Sequence, residues 1–324
     1  MKVVITGGTG FIGRALSSEL RREGHELVLL TRDPKRAAAR EPRPGPGLEY
    51  AAWDPYDGSS YRAHLEGADA VVHLAGEGVF DQRWSEERKA ELRASRVDVT
   101  AELARALAGA TAKPRVFVSG SAVGIYGQRK DDHVSDESDA AGDDFLAVLA
   151  VAWEKAADPA RSAGLRVAHP RIGIVLEEGG GALARLLPPF RLGLGGPLGD
   201  GRQWFSWIHL HDAVAALRFA LTDERVEGPF NVTAPEPVTM NDLARGLGKA
   251  LRRPALARVP AFALKLALGE GVAETLLTGQ RAVPRRLQGL GFAFRYSRLD
   301  DALQAIVGAP AAGRDAAREA PRAS

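Results

Sequence analysis

Two short stretches carry residue types whose spacing could do chemistry. The first is "TGGTGFIG", Thr6 to Gly13, with Gly7, Gly10 and Gly13 at three-residue intervals. The second is "SGSAVGIYGQRK", Ser119 to Lys130, which holds Ser121 and a Tyr-x-x-x-Lys spelling, Tyr126 to Lys130. A phenol and an ammonium one helical turn apart share a face, and the cation then lowers the phenol pKa toward neutrality. Such a pair exchanges a proton with a substrate oxygen. Here the two residues straddle Gly127 and run into "RKDDHVSDESDAAGDD", which reads as loop. Without helical geometry the match is a spelling. Tyr126 stays a catalytic candidate only from that loop, beside Ser121, a candidate hydrogen-bond donor to a substrate carbonyl.

The glycines rest on firmer placement. "KVVIT" (2–6) is a short β-branched run suited to a buried parallel strand, and a helical pattern with Ile12, Leu16 and Leu20 follows from Phe11 to Glu23. Between them Gly7 permits a tight turn, Gly10 lets backbone approach a pyrophosphate, and Gly13 lets helix and strand pack closely. The helix N-terminus adds free N–H groups and partial positive charge. Gly7, Thr9, Gly10, Phe11, Ile12 and Gly13 are therefore read as cofactor-binding. "HELVLLT" (25–31) ends on Thr31, followed by Arg32. An acid at this position would accept the ribose hydroxyls of NAD, whereas a guanidinium pairs with a 2′-phosphate. Asp33 offers the competing reading, but "DP" after "TR" has the look of a turn or helix cap. NADP(H) is favoured and NAD(H) stays open.

The elements that must position these loops alternate. "DAVVHLAG" (69–76), "PRVFVSG" (114–120) and "LRVAHPRIGIVL" (165–176) read as strands, with helical segments at 85–108 and 143–158. That order predicts an α/β fold, a Rossmann-type doubly wound parallel sheet with a smaller C-terminal substrate domain. Residues 1–176 form the dinucleotide-binding domain, completed by about 207–235 through a helix over 207–221 and a strand over 228–234. Residues 177–206, Gly/Pro-rich and without a regular repeat, and 236–308, with helical patterns at 239–251 and 261–268, form the substrate domain. "REPRPGPG" (40–47) reads as a loop and 309–324 as a disordered tail.

Composition narrows the classes. The 324 residues carry 43 Lys/Arg against 41 Asp/Glu, a net charge of +2, so no broad attraction to nucleic acid or an acidic membrane is expected. There is no cysteine, hence no disulfide, thiolate metal site or cysteine nucleophile. No secretory signal is evident, and no apolar stretch approaches the roughly 20 residues that span a bilayer. The expectation is a cytoplasmic protein with no membrane or nucleic-acid partner.

In order and approximate spacing, "TGGTGFIG", "WDP" (53–55), "HLAG" (73–76), "VSGSAVGIYG" (118–127), "RIGIVL" (171–176) and "WIHLHD" (207–212) resemble the extended short-chain dehydrogenase/reductase superfamily. More narrowly, "RWSEERKAELRASRVDVT" (83–100), "DFLAVLAVAWEKAA" (144–157) and "GQRAVPRRLQGLGFAF" (279–294) resemble its atypical epimerase family proteins of unknown substrate. The resemblance implies that Asp54 contacts the adenine and that Leu74, Ala75 and Gly76 line the dinucleotide. Ser119 and Arg171 join that set, Ser121 matches the catalytic serine, and a homodimer is possible. The helical tyrosine and lysine of the superfamily fall on Leu146 and Ala150, or one residue earlier on Phe145 and Leu149. Its supporting asparagine is Arg96.

The other candidates have bland readings beside them. Arg83–Trp84 and Arg96 would engage an anionic substrate or bridge within the fold. Asp136 and Glu137 read as solvated loop acids, and His209 with His211 as an improbable metal pair. Two functions follow: an NADP(H)-dependent oxidoreductase or epimerase-like enzyme on a small polar substrate, or a catalytically silent NADP(H)-binding regulatory or interaction protein.

Overall fold

Successive strand residues face opposite sides of a sheet, and strand β1 (Lys2–Thr6) shows what that does here. Val3 and Ile5 enter one buried cluster with Leu16, Leu20 and Leu217, while Val4 enters another with Leu103, Leu107 and Phe117. Helices thus cover both faces. The computed structural model describes residues 1–40 and 45–308; positions 41–44 of the expected loop and the whole expected tail lie outside the described residues.

The sheet comprises β1, β2 (Glu26–Thr31), β3 (Leu48–Ala52), β4 (Ala70–His73), β5 (Val116–Ser119), β6 (Ser121–Ala122), β7 (Arg166–Ile172) and β8 (Gly228–Val232). Its order is β8-β7-β5-β4-β1-β2-β3, with β6 beside β7, and every pairing is parallel. This is the doubly wound α/β arrangement expected. A third buried cluster, including Leu183, Phe190, Trp207, Leu247 and Leu303, forms the core of the smaller part.

Three readings need correction. The run 165–176 is two strands, broken at Gly173, where a Cβ would stand 2.5 Å from the Ser206 carbonyl oxygen. Beyond it Ile174–Glu177 leaves the main sheet to pair with Trp207–His209, so 207–209 is strand and the helix begins at Leu210. Pro170 is tolerated in an inner strand because β5 stops pairing at Ala168 and β6 starts at Arg171. The Gly/Pro-rich stretch holds a helix, Gly181–Arg191, despite Pro188 and Pro189. Finally, the 85–108 helix runs as Glu86–Arg93 and Val99–Ala108 joined by a π-helical turn, Ala94–Asp98, with Arg96 at its centre.

Candidate functional site

β1, β2 and β4 end side by side, Thr6 standing in register with Leu30 and with His73. The connections run one way from β1 and the other way from β4. Ligands of such sheets sit in the crevice at this reversal. Gly7 occupies left-handed backbone, φ +70°, and a Cβ there would meet the Leu74–Ala75 peptide at 2.7 Å. A Cβ on Gly13 would stand 2.1 Å from the Gly7 carbonyl oxygen. Gly10 caps the helix Phe11–Arg22 without any side-chain acceptor, so the first amides of the helix keep their hydrogens for a ligand. Thr9 is exposed and Ile12 half-buried beside it. The ring of Phe11 packs under Gly180 and Gly181, where a Cβ would come as close as 2.4 Å. These residues form one cradle with Leu74, Ala75 and Gly76.

Thr31 ends β2 and Arg32 is exposed just past it. Asp33, the competing acid, caps the helix Pro34–Ala39 and accepts from the Arg36 amide at 2.9 Å. Asp54 lies on the same edge of the sheet, since the Trp53 amide donates to the Thr31 carbonyl at 3.1 Å. Its carboxylate accepts from the Tyr56 amide at 3.0 Å and is exposed.

The residues read as catalytic are elsewhere employed. Ser121 Oγ donates to Glu154 Oε1 at 2.7 Å, and Arg171 grips the same carboxylate at 2.8 and 3.0 Å. Arg171 Nη1 also donates to Tyr126 Oη at 3.1 Å, and Tyr126 Oη donates to Asn231 Oδ1 at 2.7 Å. The backbone N–H of Asn231 donates to Glu137 at 2.8 Å, and its side chain to the Val283 carbonyl at 2.9 Å. Tyr126 is 2% exposed, and burial raises its phenol to about 12 despite the opposing charge of Arg171. Arg171, expected on the cofactor, is thus engaged by Glu154 and Tyr126. Glu137, read as a solvated acid, also accepts from the Arg286 amide. Ser119 is fully buried, and its Oγ has no partner among the described residues. Lys130 is exposed and lines a separate 440 Å³ pocket with Gln128, Lys265 and Glu274.

Helix Phe145–Lys155 places Leu146, Ala150, Phe145 and Leu149 at the two candidate registers, none of them able to transfer a proton. Phe145 packs edge-on against Trp84, with ring centroids 5.2 Å apart. Arg83 donates to the Leu266 and Ala267 carbonyls. Arg96 is different. Its guanidinium lies 3.5 Å from the Cβ position of Gly76 and over the Trp153 ring at 5.2 Å. Its hydrogen bonds go to the Glu77 and Leu92 carbonyls and to Ser95 Oγ, with no carboxylate among them. Burial and the nearby charge of Arg88 lower its pKa to about 10, so it stays charged at neutral pH. His209 Nδ1 accepts from the His211 amide, and no cluster of metal-ligating side chains occurs among the described residues. Glu154 and Asn231 were not singled out by sequence for any role. Asn231 lies 105 residues from its phenol, and only the tertiary fold joins them.

A reversing parallel sheet with a glycine cradle at the β1 turn defines a Rossmann-type dinucleotide-binding protein. The profile of the NAD dependent epimerase/dehydratase family matches residues 3–157, and that of a domain of unknown function (DUF1731) matches 259–306. The Arabidopsis thaliana epimerase family protein SDR39U1 homolog, chloroplastic, is 43% identical over 95% of this chain and 87% of its own. The human epimerase family protein SDR39U1 (isoform 2), solved with NADPH, superposes with a TM-score of 0.83 at 36% identity, covering 95% of this chain and 99% of that one. A nucleoside-diphosphate sugar epimerase from Corynebacterium glutamicum gives a TM-score of 0.76 at 35% identity, over 95% of this chain and 58% of that one. The chain belongs to the NAD dependent epimerase/dehydratase family. Among the described residues no helix is long and apolar enough to cross a membrane.

Proposed function

We propose that the protein is an NADP(H)-dependent, oxidoreductase- or epimerase-like enzyme acting on a small polar substrate without a Tyr-x-x-x-Lys pair. The observation that carries the cofactor choice is the pair at the end of β2: Arg32 is exposed beside the cradle, while Asp33 is turned into a helix cap. A capping carboxylate is poorly placed to take ribose hydroxyls, and a guanidinium suits a 2′-phosphate. The NADPH found with the human relative points the same way. The bound nicotinamide would supply or accept hydride. Within the cleft Arg96 lies beside Gly76 at the β4 end, and a substrate carboxylate or phosphate would give its guanidinium the anionic partner that its carbonyl and hydroxyl bonds do not. Ser121 has one proton to donate, and it goes to Glu154. A substrate carbonyl would have to displace that carboxylate to receive it.

That same commitment favours a second reading, an NADP(H)-binding protein that does not turn over. Calorimetry with NADPH and NADH, followed by a carbonyl-substrate screen read at the reduced nicotinamide band, separates the two. Oxidation of NADPH that is abolished by Ser121→Ala supports the enzyme. Tight NADPH binding with no turnover across neutral and anionic carbonyls supports the silent protein, and absence of binding to either coenzyme refutes both.

A further inference from the structure

The charge of +2 conceals an uneven distribution. Residues 179–199 and 243–269 contain Arg185, Arg191, Arg245, Lys249, Arg252, Arg253, Arg258 and Lys265, and not one Asp or Glu. Acids outside them pair with Arg185, Arg191, Arg245, Lys249 and Lys265, which leaves Arg252, Arg253 and Arg258 as the uncompensated charge. The fold brings these two segments together. The Ala257 amide donates to the Gly195 carbonyl at 3.1 Å, and the Val259 amide to that of Pro197 at 3.0 Å. A Cβ on Gly196 would stand 2.4 Å from the Ala257 carbonyl oxygen, so only glycine permits the approach. The paired segments carry Leu192, Leu194 and Leu256, and the helix Ala261–Leu268 that follows carries Phe262 and Leu266 at i and i+4. These five are the most exposed large apolar side chains among the described residues, at 65% to 87%. Side chains so exposed protrude rather than line a groove.

We infer that this tip and helix dock on an anionic lipid surface. Protruding aliphatic and aromatic side chains sink among acyl chains and headgroups without needing a complementary pocket. Arg252, Arg253 and Arg258 are exposed and have no ion-pair partner among the described residues, so they are available to anionic headgroups. Lys265 of that helix pairs with Glu270, the first residue of the helix that follows. The attachment is peripheral, in keeping with helices too short to span. It departs from the expectation of no membrane partner because the basic and apolar residues lie in two segments that only the fold brings together.

The test is co-sedimentation of the full chain with phosphatidylcholine vesicles, with and without phosphatidylserine, at low and high salt. Binding is expected only to the serine-containing vesicles and should weaken at high salt. The double variant Leu194→Ser, Leu256→Ser should lose about tenfold or more of it, and Arg252→Ser with Arg253→Ser a similar factor. Both variants should keep the melting temperature and coenzyme affinity of the parent, since the altered side chains are exposed. Equal binding to neutral vesicles, no vesicle binding, or binding unchanged in both variants overturns the proposal. So does a wild-type dimer in light scattering that the leucine variant dissociates, because the patch would then be covered by a second copy. None of these outcomes depends on catalytic turnover.

Discussion

At the scale of single residues, the site divides into groups left free and groups consumed by the fold. Arg32 is exposed and has no partner among the described residues, so Arg32→Ala is expected to weaken NADPH by about tenfold to a hundredfold, the range for a hydrogen bond to a charged group, with NADH little changed. Equal losses for both coenzymes in calorimetry would remove the 2′-phosphate role. Tyr126 is consumed: its hydroxyl serves Asn231 and Arg171 at once. Tyr126→Phe should therefore cost roughly 1–3 kcal/mol in denaturant unfolding while leaving any turnover in place. A variant as stable as the parent but inactive would return the phenol to catalysis. Glu154→Gln should cost more, about 3–5 kcal/mol, because it strips the charge partner from a guanidinium that is only 7% exposed. Sequence showed Ser121, Tyr126 and Arg171 as candidates but not that they form one chain. The bonds Ser121–Glu154, Tyr126–Arg171 and Tyr126–Asn231 span 33, 45 and 105 residues, which puts the answer in tertiary structure.

At the scale of elements, the cradle depends on how closely a helix can approach the turn that precedes it. Gly13→Ala would put a methyl 2.1 Å from the Gly7 carbonyl oxygen, with both partners being backbone. The helix Phe11–Arg22 must tilt away, and overpacking of this kind costs about 1–3 kcal/mol. Coenzyme affinity should fall further than stability does, because the amides at the helix mouth lose their aim. A Gly13→Ala protein with parental affinity would show that the turn tolerates the methyl. Elements of this kind were legible. β1 at Lys2–Thr6 and the helices Met240–Leu251 and Ala261–Leu268 fall where the sequence pattern places them. β1 is a β-branched run buried on both faces, Met240–Leu251 has one apolar face, and Ala261–Leu268 is apolar nearly all round. β3 was not among the strands the sequence pattern marks: it pairs through one edge alone, to β2, and only Ala51 is buried. The helix Gly181–Arg191 was hidden by Pro188 and Pro189, which local propensity counts against a helix. Burial of Leu183, Leu187 and Phe190 outweighs that. The π-helical turn at Arg96 has no local signature at all, and turns of this type gather at functional sites.

At the scale of the whole molecule, histidines tie stability to pH: burial lowers His25 and His169, and lowers His73 and His209 furthest. His73 sits at the end of β4, its ring nitrogens 2.6 Å from Thr6 Oγ1 and 3.0 Å from Thr100 Oγ1, with the Trp153 indole donating to the same threonine. His209 ends the strand that joins the sheet to the smaller part and stacks on Tyr296 at 4.0 Å. Burial lowers both to about 4, from an ordinary 6.5. Above pH 6.5 both rings are neutral whether the chain is folded or not, and their contribution is fully present. Between 6.5 and 4 the unfolded chain binds protons that the folded chain refuses, so stability falls as pH falls. Each ring accounts for roughly 3 kcal/mol once the pH passes below 4, at about 1.4 kcal/mol per unit of displacement. Near pH 5, unfolding should therefore take up close to two protons through the His73 and His209 rings, besides those of His25, His169 and the carboxylates. Calorimetry in buffers of different ionisation enthalpy measures that number directly. His73→Gln should lower it by about one, even if the variant is less stable at every pH. An uptake unchanged by the substitution would mean that the His73 ring is protonated inside the fold. A charge there would stand beside Arg96, whose own positive field opposes it, so the neutral ring is the state that spares the end of β4 a further repelling cation.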